Sequence, residues 1–145
     1  MYFGGNANTI NNLIRMNKKE ERQFVFDKTN GRCAYCGEKL KKGWHVDELL
    51  PVRRNMKWNG RRFVWDGTYE HPERLNIDNQ MPSCPSCNIN KHSDSIEGFR
   101  SLIAGFINSL NRDSTQYKIA KRYGLITETK KPVIFYFERD KEEQT

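Results

Sequence analysis

Four cysteines form two Cys-x-x-Cys pairs, Cys33/Cys36 and Cys84/Cys87. Two intervening residues let both sulfurs of a pair face one ion, and two such knuckles supply a thiolate tetrahedron. Two disulfides are the competing use of four cysteines; one zinc ion is the reading preferred for a chain whose thiols stay reduced. With sulfur at all four positions the ion has no open coordination site, so its role is structural. Between the pairs lies His45-Val46-Asp47-Glu48-Leu49-Leu50-Pro51, and Asn79 sits five residues before the second pair. Asn88 follows that pair directly and His92 comes four residues later. A strand carboxylate at Asp47 facing the amide of Asn88 and the imidazole of His92 could hold a divalent ion with open positions. Such an ion binds a phosphate oxygen and stabilises a leaving oxygen. Taken singly, Asp47 is an ordinary strand-edge acid and His92 an exposed helix histidine. Their placement relative to the knuckles raises the chemical reading.

These groups need elements to carry them. Residues 1–16 are rich in Asn and Gly and read as loose. Asn17 followed by Glu20 is a capping box, predicting a helix from Lys18 to Thr29 that stops at Asn30-Gly31, with Phe24 and Val25 buried. Arg32 to Gly37 forms the first knuckle. Trp44 to Val52 reads as a strand ending at Pro51. In residues 53–62 Arg53, Arg54, Lys57, Arg61 and Arg62 carry five positive charges without one acid. Trp58, Phe63 and Trp65 interleave with them, and Asn59-Gly60 is a two-residue turn signal. Residues 53–75 therefore read as a basic hairpin inserted beside the site. A short helix starts near Pro85, on which Asn88 and His92 would share a face. Asp94 and Glu97 form a second capping box, ahead of Ile96, Phe99, Leu102, Ile103, Phe106, Ile107 and Leu110 at helical spacing. That stripe predicts one long helix packed on a core. A further helix spans Thr115 to Tyr123 and stops at Gly124. Leu125–Thr129 and Val133–Glu138 read as two final strands, and the acidic tail 140–144 as frayed.

The chain has 145 residues, 36% hydrophobic and 30% charged, with a formal net charge of +7 and a pI near 9.3. The predicted helices and strands make an α+β fold, and those numbers give it a modest core that benefits from a metal staple. Three regions are expected: a tail and helix over 1–29, a metal-stapled core over 30–112, and a helix-plus-hairpin extension over 113–145. The basic balance favours an anionic partner. The N-terminus shows neither the apolar stretch nor the cleavage pattern of a signal peptide, and no run has the ~18 apolar residues that a membrane span needs. A cytoplasmic, reducing location is the expectation.

Cys33-Ala34-Tyr35-Cys36, Val46-Asp47-Glu48-Leu49-Leu50-Pro51 and the run from Asn79 through Cys84, Cys87 and Asn88 to Lys91 together resemble the HNH endonucleases. Among these, the small zinc-ribbon members common in phages and prophages are the most similar, and the resemblance covers roughly residues 30–95. It implies a ββα-metal fold and metal-dependent cleavage of double-stranded DNA. It also implies that Asp47 and Asn88 bind a catalytic Mg²⁺ or Mn²⁺, with His92 as a further ligand. By the same resemblance Asn79 holds the loop that positions the catalytic residue, and Lys91 is a basic residue available to phosphate.

Glu48 departs from the pattern. The family places its general-base histidine there, to take a proton from the attacking water. A positioned base contributes ~10²–10⁴ in rate, and the free pKa is about 6.5 for His against about 4.3 for Glu. Glu48 is a working carboxylate base, the mark of a nuclease fold with weakened or lost catalysis, or a substitution made to silence an enzyme; all three stay open. His45 does not replace it, because a strand points residues 45 and 48 to opposite faces; a packing or hydrogen-bonding role suits it better.

The basic hairpin has the composition of a nucleic-acid surface: cations for phosphates, aromatics for bases or a groove wall. Metal-dependent hydrolysis of DNA phosphodiesters is the leading function. A DNA- or protein-binding module on a catalytically dead nuclease fold is the rival. An RNA-binding zinc protein shares the charge argument but leaves Asp47 and Asn88 unexplained.

Overall fold

The computed structural model describes residues 16–140. The expectations for the loose N-terminal stretch and for most of the acidic tail lie outside them. Among the described residues five helices and two two-stranded antiparallel sheets make an α+β fold. Helix α1 (Lys18–Asp27) begins at Asn17, whose side chain accepts from the amides of Lys19 and Glu20 while Glu20 returns a bond to the Asn17 amide. It ends before the expected Thr29, because Asn30 (φ 51°) and Gly31 (φ 71°) reverse the chain. Val25 is buried as expected, whereas Phe24 is exposed.

Strand β1 (His45–Glu48) pairs antiparallel with β4 (Gln80–Ser83), His45 opposite Ser83 and Glu48 opposite Gln80. β1 is shorter than expected because Leu49 and Leu50 leave the ladder to bond Asn79. β2 (Arg54–Trp58) and β3 (Phe63–Tyr69) form the basic hairpin. Trp58 pairs with Phe63, so its loop is Asn59–Arg62 and not a two-residue turn; the Asn59 side chain caps it by accepting from the amides of Arg61 and Arg62. Short 3₁₀ turns at Pro72–Arg74 and Ile77–Asn79 lead back to β4.

Helix α2 (Pro85–Lys91) starts within the second knuckle, carries Cys87 and packs on β1. α3 (Ile96–Ala104) is capped by Ser95, one residue later than expected: its side chain accepts from the Gly98 amide, while Asp94 bonds the Ser95 amide. The long helix is two. It breaks at Gly105, whose amide bonds both Ser101 and Leu102 carbonyls, and α4 (Phe106–Asp113) continues beyond. The apolar stripe divides likewise: Phe99 is buried with Ile96 and Ile103 packed beside it, while Leu102, Phe106, Ile107 and Leu110 stay exposed. α5 (Thr115–Arg122) ends at Gly124 (φ 72°).

The two C-terminal strands do not form among the described residues. Instead the chain runs extended to a 3₁₀ turn at Tyr136–Glu138, where Tyr136 and Phe137 amides bond the carbonyls of Tyr35 and Ala34 in the first knuckle. Phe135 joins Cys33, Tyr35, Cys84 and Phe99 in one core. Tyr35 meets Phe99 and Phe135 edge-on at 5.5 and 5.6 Å, the preferred geometry of aromatic pairs. No helix among the described residues is long and apolar enough to cross a membrane.

Candidate functional site

The first knuckle is a tight turn in which the Gly37 amide bonds the Cys33 carbonyl at 2.9 Å. Gly37 has φ 76°, and a Cβ there would lie 2.8 Å from the Tyr136 ring, so only glycine fits. In the second knuckle Cys84 caps α2, its sulfur accepting from the Cys87 amide. The four Sγ atoms all lie within 4.8 Å of one another, with Cys36 and Cys84 at 3.9 Å. A tetrahedron with metal–sulfur bonds of ~2.3 Å has edges of about 3.8 Å, so the cluster has the size of a four-thiolate metal site. Hydrogen bonds with Cys36 and Cys87 hold the Cys33 thiol well below its usual range. The reciprocal bond to Cys33 pushes Cys36 up to about 11 and, with Cys36, pushes Cys87 higher still. Sulfurs this close compete for protons, and one divalent cation satisfies all four.

Asp47 is buried on β1. Its Oδ2 accepts the Tyr35 hydroxyl and lies 3.1 Å from the Lys91 ammonium. Burial first, then the Asp47 carboxylate, drive the Tyr35 phenol far above its usual range, so it stays a donor. Oδ1 has no hydrogen-bond partner, and among the described residues no fully buried side-chain polar atom lacks one; Oδ1 therefore keeps solvent contact, and Asp47 lines the cleft. The carboxylate is held by one oxygen and open at the other. Lys91 is fully buried, donating also to the Glu48 carbonyl at 2.9 Å. It presents no ammonium to an incoming phosphate, contrary to the expectation of a surface contact.

Asn88 donates through Nδ2 to His45 Nδ1 at 2.8 Å, which leaves its amide oxygen without a protein partner. His45 thus makes a hydrogen bond, as its strand face suggested. Glu48, Asp47, Asn88 and His92 all line one cleft of ≈ 390 Å³. His92 is not on the helix: α2 ends at Lys91, and His92 stands beyond it at φ 52°, so the shared helical face with Asn88 does not exist. Among the described residues only the cysteines gather three or more His, Cys, Asp or Glu ligand atoms around one point; Asp47, Glu48 and His92 share the cleft but not such a cluster.

Asn79 is buried and staples the turn after β1. Its Oδ1 accepts from the Leu50 amide at 2.8 Å, and its Nδ2 donates to the carbonyls of Leu50 at 2.9 Å and Arg74 at 3.0 Å. Of the basic residues, Arg53 and Arg54 line an adjoining cleft with Asp47, Glu48 and His92. Arg53 also pairs with Glu70 at 3.8 Å. Lys57, Arg61 and Arg62 are exposed on the hairpin and line neither cleft. Sequence reasoning missed Tyr35 as a partner of Asp47; its position between two cysteine ligands was the available signal. No protein-family model matches the chain, and no curated protein or solved structure matches it.

Proposed function

We propose that the chain is a metal-dependent endonuclease of HNH type that hydrolyses DNA phosphodiesters, with zinc in the four-cysteine cluster. The observation that carries this reading is the half-held carboxylate of Asp47, one oxygen fixed by Tyr35 and Lys91 and the other open beside Asn88. An oriented carboxylate oxygen and a free amide oxygen are hard donors suited to Mg²⁺ or Mn²⁺. They would hold the ion, which when bound supplies positive charge to a phosphate oxygen. Glu48 stands where a base is needed, Asn79 fixes the turn that follows it, and Arg53 and Arg54 offset phosphate charge at the cleft wall.

The second reading, a DNA-binding module without catalysis, has its own support. The Lys91 ammonium already neutralises Asp47, and Glu48 adds negative charge where phosphate would enter. Plasmid cleavage with Mg²⁺ and with Mn²⁺ separates the two. The Glu48→His variant should cut about 10²-fold faster or more, the usual worth of a positioned base. Asp47→Asn, which preserves shape beside Tyr35, should abolish cutting in that background. Rapid cutting by the parent chain that is lost in Glu48→Gln would make the carboxylate the working base. Absence of cutting by parent and Glu48→His alike, with DNA still bound, would replace the enzyme by the binding module.

A further inference from the structure

The hairpin wears its apolar side outward. Directly paired residues of an antiparallel ladder share a face, so Arg54, Met56 and Trp58 lie beside Tyr69, Trp65 and Phe63. Ring contacts agree: Trp58 and Phe63 centroids are 5.3 Å apart, Trp65 and Tyr69 5.2 Å, and the Arg54 guanidinium lies 5.4 Å from the Trp65 ring. Yet Met56 is 52% exposed, Trp58 58%, Phe63 66% and Trp65 43%. On the other face Lys57 is exposed too, so the hairpin does not give its ring face to the core.

The rings' surroundings specify the partner. Arg54, Lys57, Arg61 and Arg62 form no ion pair within 4 Å among the described residues; the acid of the strands, Asp66, is bonded by the amide and hydroxyl of Thr68 and only attracts Lys57 from a distance. The arm thus offers cations together with flat apolar rings, complementary to an anion that carries flat apolar groups. Nucleic acid is such an anion only where its bases are exposed, since a duplex buries base faces within its own stack. At the root of the arm, Arg53, Arg54 and Tyr69 line the cleft that contains Asp47 and Glu48. A strand lying on the rings is therefore led to those carboxylates.

We propose that the β2–β3 arm is a stacking platform for unpaired bases. On the hydrolase reading, on which this second clause rests, the substrate is nucleic acid with single-stranded nucleotides beside the scissile bond, such as a flap or bubble. Base–aromatic stacking is worth about 1–3 kcal/mol per base, and a tenfold change in affinity corresponds to about 1.4 kcal/mol.

The test is binding of labelled single-stranded, bubble and fully paired DNA of one sequence, without Mg²⁺ or Mn²⁺, read by anisotropy and tryptophan fluorescence. Unpaired substrates should bind about 10-fold tighter than the duplex or more and quench the tryptophans. Trp58→Ala should erase most of that preference by weakening the unpaired substrates more than the duplex. Trp58→Phe with Trp65→Phe should keep the preference and lose the quench, which guards against a variant that merely fails to fold. Arg61→Ala with Arg62→Ala should weaken all substrates and lower the log–log salt slope by about 0.9 per lost duplex contact. Equal affinity for paired and unpaired DNA without quenching overturns the proposal. So does a tryptophan blue shift on anionic vesicles without a DNA preference, or self-association that Trp58→Ala abolishes. Because no cleavage is involved, a catalytically dead protein can still pass this test, and an active one can fail it.

Discussion

Asp47 shows how one side chain is tuned by neighbours far away in sequence. The Tyr35 hydroxyl comes from inside the first knuckle, and the Lys91 ammonium from the last turn of α2. Partners behind a metal-binding carboxylate fix its orientation, and losing one typically costs 10–100-fold in metal affinity or activity. Tyr35→Phe should therefore leave the cysteine-bound metal and DNA affinity intact while lowering Mn²⁺-dependent cleavage by about 10–100-fold, assayed in Glu48→His if the parent cuts slowly. Unchanged cleavage would reduce Tyr35 to a packing residue. At this scale the shared cleft of Asp47 and Asn88 and the turn held by Asn79 were legible from their distances to the cysteines, whereas their chemical roles belong to the proposal. Lys91 was misread because lysine is almost never fully buried without a partner, and its partner lies across the fold. Tyr35 was visible in the knuckle, but nothing local says that its hydroxyl reaches β1.

Elements with local signals were the legible ones. The capping box at Asn17 starts α1, Pro85 opens α2, and Gly124 closes α5. The stripe after Ile96 has helical period, but periodicity does not reveal that Gly105 kinks the run or that only its first half reaches the core. The β-branched and aromatic run in Val133–Glu138 suggests a strand, yet a strand needs an edge, and the knuckle offers just two carbonyls before the chain turns. Residues 125–129 are held by a side chain instead. Glu128 accepts from Asn111, Lys121 and Tyr117 and so pins the segment to α4 and α5. Those bonds, with Asn111 first and Lys121 next, depress its carboxyl to about 2. A depressed carboxyl adds stability that is fully present above its ordinary value of 4.5 and is lost as pH falls toward about 2. An NMR titration should show the Glu128 carboxyl still ionised near pH 3, and Lys121→Met should raise its midpoint. A midpoint near that of an ordinary glutamate would mean that the pin does not hold in solution.

For the molecule as a whole, the cysteine cluster ties two distant parts of the chain, and two of its members belong to the core with Tyr35, Phe99 and Phe135. Metal binding in such a site is folding free energy, about 10–16 kcal/mol in small zinc peptides near neutral pH. Chelation should therefore collapse the far-UV helical signal, and native mass spectrometry should find one metal per chain beforehand. A metal-free protein of unchanged helicity would show that the aromatic core suffices alone. The α+β class was legible from alternating local signals, and the cluster from spacing. The closing of the core by residues 133–138 was not, because it depends on a contact between opposite ends of the chain.

That closing contact has a consequence during synthesis. Phe135 enters the core, and the Tyr136 and Phe137 amides bond the knuckle carbonyls, while Arg100 reaches the Val133 carbonyl at 2.6 Å and binds Glu138. A ribosome adding about 5–20 residues per second finishes the knuckle about 5–20 s before it reaches Phe137. Through nearly all of that interval Tyr35 lacks two of its ring neighbours, Phe135 and Phe137, and the group that holds Asp47 is not yet locked. The core around Tyr35 is thus closed last, after the arm and the five described helices have been translated. A chain that stopped before Val133 would carry the arm and both knuckles without Phe135 and without the two backbone bonds that close the core.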